Sequence, residues 1–194
     1  MNTALLFFFL VVSSNLDIEY KSWQKRETGA NVTIHALMDI NCPYCSRQKI
    51  VLNKLASNKK INWVLWFIPE SDKEENSHKL MANLYCIGEL YGTEHYFTLG
   101  EKLLSTPNQL LENSTYTDAL LYSAPQINHL EVEACLSQKH ADKYFKSAQH
   151  LVEAFELKGT PGLLIQPSND ASSFMLQGYK NYKTLLERIK KASN

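Results

Sequence analysis

The sequence predicts a mixed α/β protein in which a strand–helix–strand half and a strand–strand–helix half are separated by a long helical insertion. Three observations predict it. Cys42 and Cys45 lie between an apolar, β-branched run, Val32–Met38, and a segment with Ile50, Val51, Leu52 and Leu55 at helical spacing, so they mark a strand-to-helix junction. The run Ile61–Ile68 is apolar almost throughout, the pattern of a strand covered on both faces in a parallel crossover. From Ser71 to about Leu157 no strand pattern appears; Gly162–Gln166 and Ser173–Gln177 then read as a hairpin around turn residues 167–171.

A chain of 194 residues is long enough to bury a substantial core. Its 20 basic and 20 acidic side chains cancel, so nothing marks nucleic acid or an anionic membrane as a partner.

Taken in order, the chain opens on an apolar run, Ala4–Val12. It is shorter than the roughly 20 residues that span a bilayer. Residues 1–14 are expected to be a signal peptide cut after Val12-Ser13-Ser14, although the run lacks a basic flank. A buried first strand or a membrane anchor is the alternative. Residues 15–194 form the expected folded unit, with the helical insertion over about 71–157. Asp17–Glu27, with Ile18, Tyr20 and Trp23 loosely alternating, is expected to be a short edge strand. His35, on the strand before the cysteines, is expected to be a half-buried structural histidine.

Pro43 takes the first helical position, where its missing N–H costs nothing. Lys59 and Lys60 would face the negative end of that helix, and Pro69 would end the next strand. In the insertion, Ser71–Glu74 and Asn128–Glu131 both read as capping boxes. Leu80, Leu84, Ile87 and Tyr91 share a stripe that Gly92 stops. Further helices are expected over Thr93–Ser105, Tyr116–Ser123 and from Asn128 on. Leu185, Leu186 and Ile189 make a last amphipathic helix after the break at Gly178.

The chemistry follows from the junction. A sulfur at a helix N-terminus meets free N–H groups and the positive end of the dipole, so a thiolate at Cys42 is stabilised and Cys42 is the expected nucleophile. Cys45, one turn on and facing inward, would resolve a mixed disulfide. A Cys-x-x-Cys on such a unit is a dithiol–disulfide motif. The competing readings are a zinc half-site, which needs a second ligand pair, and an inert disulfide.

The residues Met38-Asp39-Ile40-Asn41-Cys42-Pro43-Tyr44-Cys45, with Gly159-Thr160-Pro161 downstream, resemble the catalytic domains of the periplasmic Dsb isomerases DsbC and DsbG, with DsbA a cousin in layout. The resemblance runs from about Val32 to the C-terminus. It implies a thioredoxin fold with a helical insertion between the βαβ half and the C-terminal ββα half. It also implies that Thr160 and a cis Pro161 face the cysteine pair and, with Pro43 and Tyr44, form the substrate-binding wall. Ala36 stands where thioredoxin and DsbA often hold a buried acid, as on the isomerase side. The isomerases' N-terminal dimerisation domain has too little room before Cys42, so a monomer is expected.

The expected function is thiol–disulfide exchange, forming or rearranging disulfides in exported proteins, with no cofactor and no metal. The expected location is the periplasm or outside the cell. The partners are unfolded or misoxidised exported proteins and a membrane redox protein that resets the pair. A soft-metal binder or chaperone, holding Cu(I) between the same thiols, is the alternative. Cys86 and Cys135 lie in different insert helices, and an even cysteine count suits an oxidising compartment. Paired, they would close a loop worth about 4 kcal/mol on the chain-entropy estimate; two free buried cysteines are the other reading.

Overall fold

The structure, a computed structural model, describes residues 20–68, 75–106, 113–138, 140–168 and 172–192. The apolar run Ala4–Val12, the sequence Ser71–Glu74 and Pro69 lie outside the described residues. A five-stranded sheet has the order β1-β3-β2-β4-β5. Its strands are β1 (Lys25–Arg26), β2 (Val32–Met38), β3 (Asn62–Phe67), β4 (Gly162–Pro167) and β5 (Phe174–Gln177). Strands β2 and β3 are parallel, with Met38 opposite Phe67, and the other pairs are antiparallel. Both central strands are buried along their whole length, which is why neither shows polar alternation.

Helix α1 (Pro43–Ser57) crosses from β2 to β3. Lys59 and Lys60 follow its C-terminal end, and a backbone closure adds to the charge expected there. Lys60 N–H bonds Leu55 C=O at 2.9 Å and Lys59 N–H bonds Ala56 C=O at 2.8 Å, with Lys59 at φ 51°. The lysines therefore close the helix with their backbone, and a non-glycine residue takes the left-handed position that glycine usually fills.

Between β3 and β4 stand α2 (Glu75–Tyr91), α3 (Thr93–Leu103), α4 (Ser114–Leu121), α5 (His129–Ser137) and α6 (His140–Ala154); α7 (Tyr182–Ala192) follows β5. At the head of α5 the expected capping box is only half formed. Leu130 N–H donates to Asn128 Oδ1, but Asn128 N–H donates to the Tyr91 hydroxyl, which itself donates to Glu131. A tyrosine hydroxyl brought by α2 thus stands between the two ends of the box.

The segment before β2 also departs from expectation. Of the edge strand expected over residues 17–27, only β1 forms within the described residues. Ser22–Gln24 make a 3-10 turn that sends Trp23 and Gln24 inward. Trp23 stacks edge-on against Tyr85 and Tyr96. It lies so close to α2 that a Cβ at Gly88 would come within 2.5 Å of the indole ring. Burying this ring outweighs a few ladder hydrogen bonds at an edge.

The sheet separates two environments. Trp63 meets Phe97 of α3 on one side. On the other, Trp66 stacks on Tyr144 of α6 and on His35. Among the described residues no helix is long and apolar enough to cross a membrane.

Candidate active site

Strand β2, in the centre of the sheet, delivers the site at its C-terminal end. After Met38 the chain turns through Asp39–Asn41. Asn41 N–H donates to Asp39 Oδ1 at 2.6 Å, and Cys42 N–H reaches Asp39 C=O at 3.2 Å. The Asn41 amide donates to Ser77 Oγ at 2.8 Å, tying this turn to α2 of the insertion. The turn ends with Cys42 in the extended conformation as the N-cap of α1, with Pro43 at the first helical position. A cysteine sulfur thus takes the place that a Ser or Asp oxygen usually fills.

The two thiols are not equivalent. Cys42 Sγ accepts the Cys45 N–H at 3.3 Å and donates to Thr160 C=O at 3.4 Å. It is 8% exposed, whereas Cys45 is 0% exposed. Both are free thiols. Burial pushes the Cys45 thiol well above its ordinary range, and the neighbouring Cys42 adds to this. A backbone hydrogen bond with Asp39 and the Thr160 hydroxyl pull weakly the other way. Thr160 Oγ1 is buried and makes no well-formed hydrogen bond, although it lies near enough to favour an ionised Cys45. One sulfur can therefore meet a substrate while the other stays protonated behind it.

Thr160 and Pro161 stand opposite, joined by a cis peptide bond. Pro161 leads directly into β4, and its carbonyl accepts Gly178 N–H at 2.8 Å. Gly178 has φ 73°, a turn that L side chains rarely adopt. The structure therefore brings Cys42, Cys45, Thr160 and Pro161 to one place across 118 residues of sequence. Tyr44 stands out from the helix end at 54% exposure, with the Arg47 guanidinium over its ring. Tyr179, 39% exposed, follows Gly178 on the loop bonded to Pro161. Pro43, at the helix start, is exposed as well, so both residues of the dipeptide lie open beside Cys42.

Cys86 of α2 and Cys135 of α5 are joined as a disulfide, buried inside the insertion and distinct from the free pair. His35 is more deeply buried than its strand position suggested. Its Nδ1 accepts the Trp66 indole N–H at 3.3 Å, and its Nε2–H donates to Gln166 Oε1 at 3.0 Å. Both ring nitrogens are thus taken by structural partners.

Sequence reasoning passed over Gln48. It sits on the buried face of α1, and its Oε1 accepts Lys180 N–H at 2.7 Å. A glutamine at a position where helical spacing puts core residues was the available signal.

Solved structures share the fold. DsbA2 of Pseudomonas aeruginosa has a TM-score of 0.68 at 19% identity, over 87% of this chain and 92% of that one. The thiol-disulfide exchange protein alpha-DsbA2 of Wolbachia pipientis has 0.65 at 18%, over 86% and 84%. Wolbachia pipientis alpha-DsbA1 has 0.71 at 16%, over 87% and 89%. No curated protein sequence matches. The family model described as Thioredoxin matches residues 27–188, which is most of the chain, and the chain belongs to that family.

Proposed function

We propose that this chain is a thiol–disulfide oxidoreductase that forms or rearranges disulfides in exported proteins. The observation that carries the reading is the asymmetry of the pair: a sulfur at a helix start that keeps a little exposure, held between the Cys45 N–H and the Thr160 carbonyl, with a wholly buried thiol behind it that burial keeps protonated. In the oxidised form a substrate thiolate attacks Cys42 Sγ, the Cys42–Cys45 bond breaks, and Cys45 takes up a proton as it is buried. A second substrate thiol then attacks its own sulfur in the mixed disulfide, and Cys42 leaves. The substrate loses two electrons and two protons, and the pair gains them to become the dithiol. Rearrangement uses the same steps from the reduced side, with no net change in electrons. The extended substrate segment would lie along Thr160–Pro161, between Tyr44 and Tyr179.

The Cys86–Cys135 disulfide supports export, since such bonds persist in oxidising compartments. The substrates in this reading are reduced or misoxidised exported proteins, and a membrane redox protein resets the pair. In the alternative reading the same two thiolates would hold a soft metal; among the described residues no group of three or more His, Cys, Asp or Glu side chains is placed to hold an ion. The test is direct. Oxidised protein mixed with a reduced dithiol peptide should convert one equivalent, and Cys42→Ala should convert none. Failure of the oxidised protein to exchange with any dithiol peptide would remove the reading.

A further inference from the structure

Gln48 is a fully buried amide at 0% exposure on a helix face that otherwise packs Cys45, Leu52 and Leu55. Only half of it is used. Its Oε1 accepts the backbone N–H of Lys180, while its Nε2 is buried without a hydrogen-bond partner among the described residues. Leaving a buried amide donor unpaired costs of order 1–3 kcal/mol, so an orphan of this kind calls for an explanation.

Its surroundings suggest one. Gln48 lies three residues after Cys45, and residues so spaced are neighbours on a helix surface. Both side chains face the interior. The loop that Gln48 holds is the one whose Gly178 N–H bonds the Pro161 carbonyl. One side chain therefore connects the helix that carries both thiols to the loop that braces the Thr160–Pro161 wall.

Resting on the exchange function above, we propose that Gln48 is a positioning residue for the resolving step: its carbonyl clamps the 178–180 turn to α1, and its spare N–H is held in reserve for the Cys45 sulfur as that sulfur gains negative charge. The step is Cys45–SH plus Cys42–S–S–R giving Cys42–S–S–Cys45 and R–SH. The Cys42–R bond breaks, the Cys42–Cys45 bond forms, and the Cys45 proton ends on the departing thiol. The sulfur that must become anionic is the one that burial keeps protonated. The groups that bear on it are the Cys42 thiol, the Asp39 backbone and the Thr160 hydroxyl. A neutral amide donor one helical turn along the same buried face, turned to the sulfur during the step, would lower the cost of charging it without adding a buried charge.

The reduced protein mixed with dithiobis(nitrobenzoate) releases coloured thiolate twice. The first release reports attack by Cys42, and the second reports resolution by Cys45. Gln48→Met should leave the first phase unchanged. It should slow the second about tenfold near neutral pH, and move that phase's pH midpoint up by about one unit, the effect of one lost hydrogen bond to a charged group. Lys180→Pro removes the N–H that Gln48 Oε1 accepts and leaves the Nε2 donor in place, so it separates the clamp from the donor and keeps the test open if Gln48→Met fails to fold; its second phase should stay near that of the parent. A second phase in Lys180→Pro slowed about tenfold would show that the clamp alone matters and overturn the proposed donor. Equal slowing of both phases in Gln48→Met, or no slowing there, would also overturn it. Absence of any release from the parent protein would instead remove the exchange function itself.

Discussion

The Phe67 backbone N–H donates to the Tyr144 hydroxyl at 2.6 Å. Tyr144 lies 3.2 Å from the Tyr96 hydroxyl, which donates to Leu65 C=O at 2.9 Å. The proton order is therefore Phe67 N–H to Tyr144 to Tyr96 to Leu65. Strand β1 pairs with β3 only at Trp63 and Val64, so the outer edge of β3 has no ladder beyond them. Two hydroxyls from α3 and α6 supply the missing partners, which is how the insertion closes the edge nearest the active site. Burial pushes the Tyr144 hydroxyl up to about 12, so it stays a neutral donor. Tyr144→Phe leaves a buried N–H unpaired and should cost about 1–3 kcal/mol in chemical unfolding. Exchange by Cys42 should be unchanged; an undiminished stability would mean that the edge is satisfied in another way.

This relationship shows where the sequence was legible and where it was not. The strands β2 and β3, the start of α1 and the cysteine pair were readable because hydrophobic period and the Cys-Pro-Tyr-Cys order are local. The hairpin of β4 and β5 was readable for the same reason. Tyr144 and Tyr96 were not, since a tyrosine at helical spacing looks like any core residue until the strand edge it faces is known. Gln48 was hidden likewise: its partner Lys180 lies 132 residues away. The Lys59 turn was only partly legible, because charge near a helix end is visible in sequence, whereas a left-handed φ on a lysine is not.

The disulfide between Cys86 and Cys135 ties α2 to α5 and touches neither free thiol. Replacing both with alanine should lower stability by about 2–5 kcal/mol, seen as an earlier unfolding midpoint. Exchange with a dithiol peptide at a temperature where the variant is folded should persist. Loss of exchange in a folded variant would make this bond part of an electron relay.

Selective alkylation checks the division of labour between the thiols. With limiting iodoacetamide near neutral pH, label should collect on Cys42, because Cys45 is buried and held protonated. Peptide mapping by mass reads the ratio directly. Preferential labelling of Cys45 would exchange their roles.

The last expectation concerns pH and the far side of the sheet. His35 is buried among Trp66 of β3, Gln166 of β4 and Tyr20, with Lys25 as the charged neighbour. Burial lowers it from 6.5 to about 4; the Gln166 hydrogen bond opposes this and Lys25 adds to it. A lowered histidine favours the folded state when neutral. The unfolded chain takes up a proton as pH falls through 6.5, while the folded chain resists until about 4. The contribution is thus complete above 6.5 and is lost progressively down to about 4, for a total on the order of 3 kcal/mol. Denaturant unfolding between pH 7 and 4 should show this slope over and above that of the carboxylates. His35→Gln removes the titrating ring, so it should be less stable at pH 7 yet lose less on acidification. If the two proteins lose stability in parallel, His35 is not the group that makes the fold acid-sensitive, and its contacts with Trp66 and Gln166 serve packing alone.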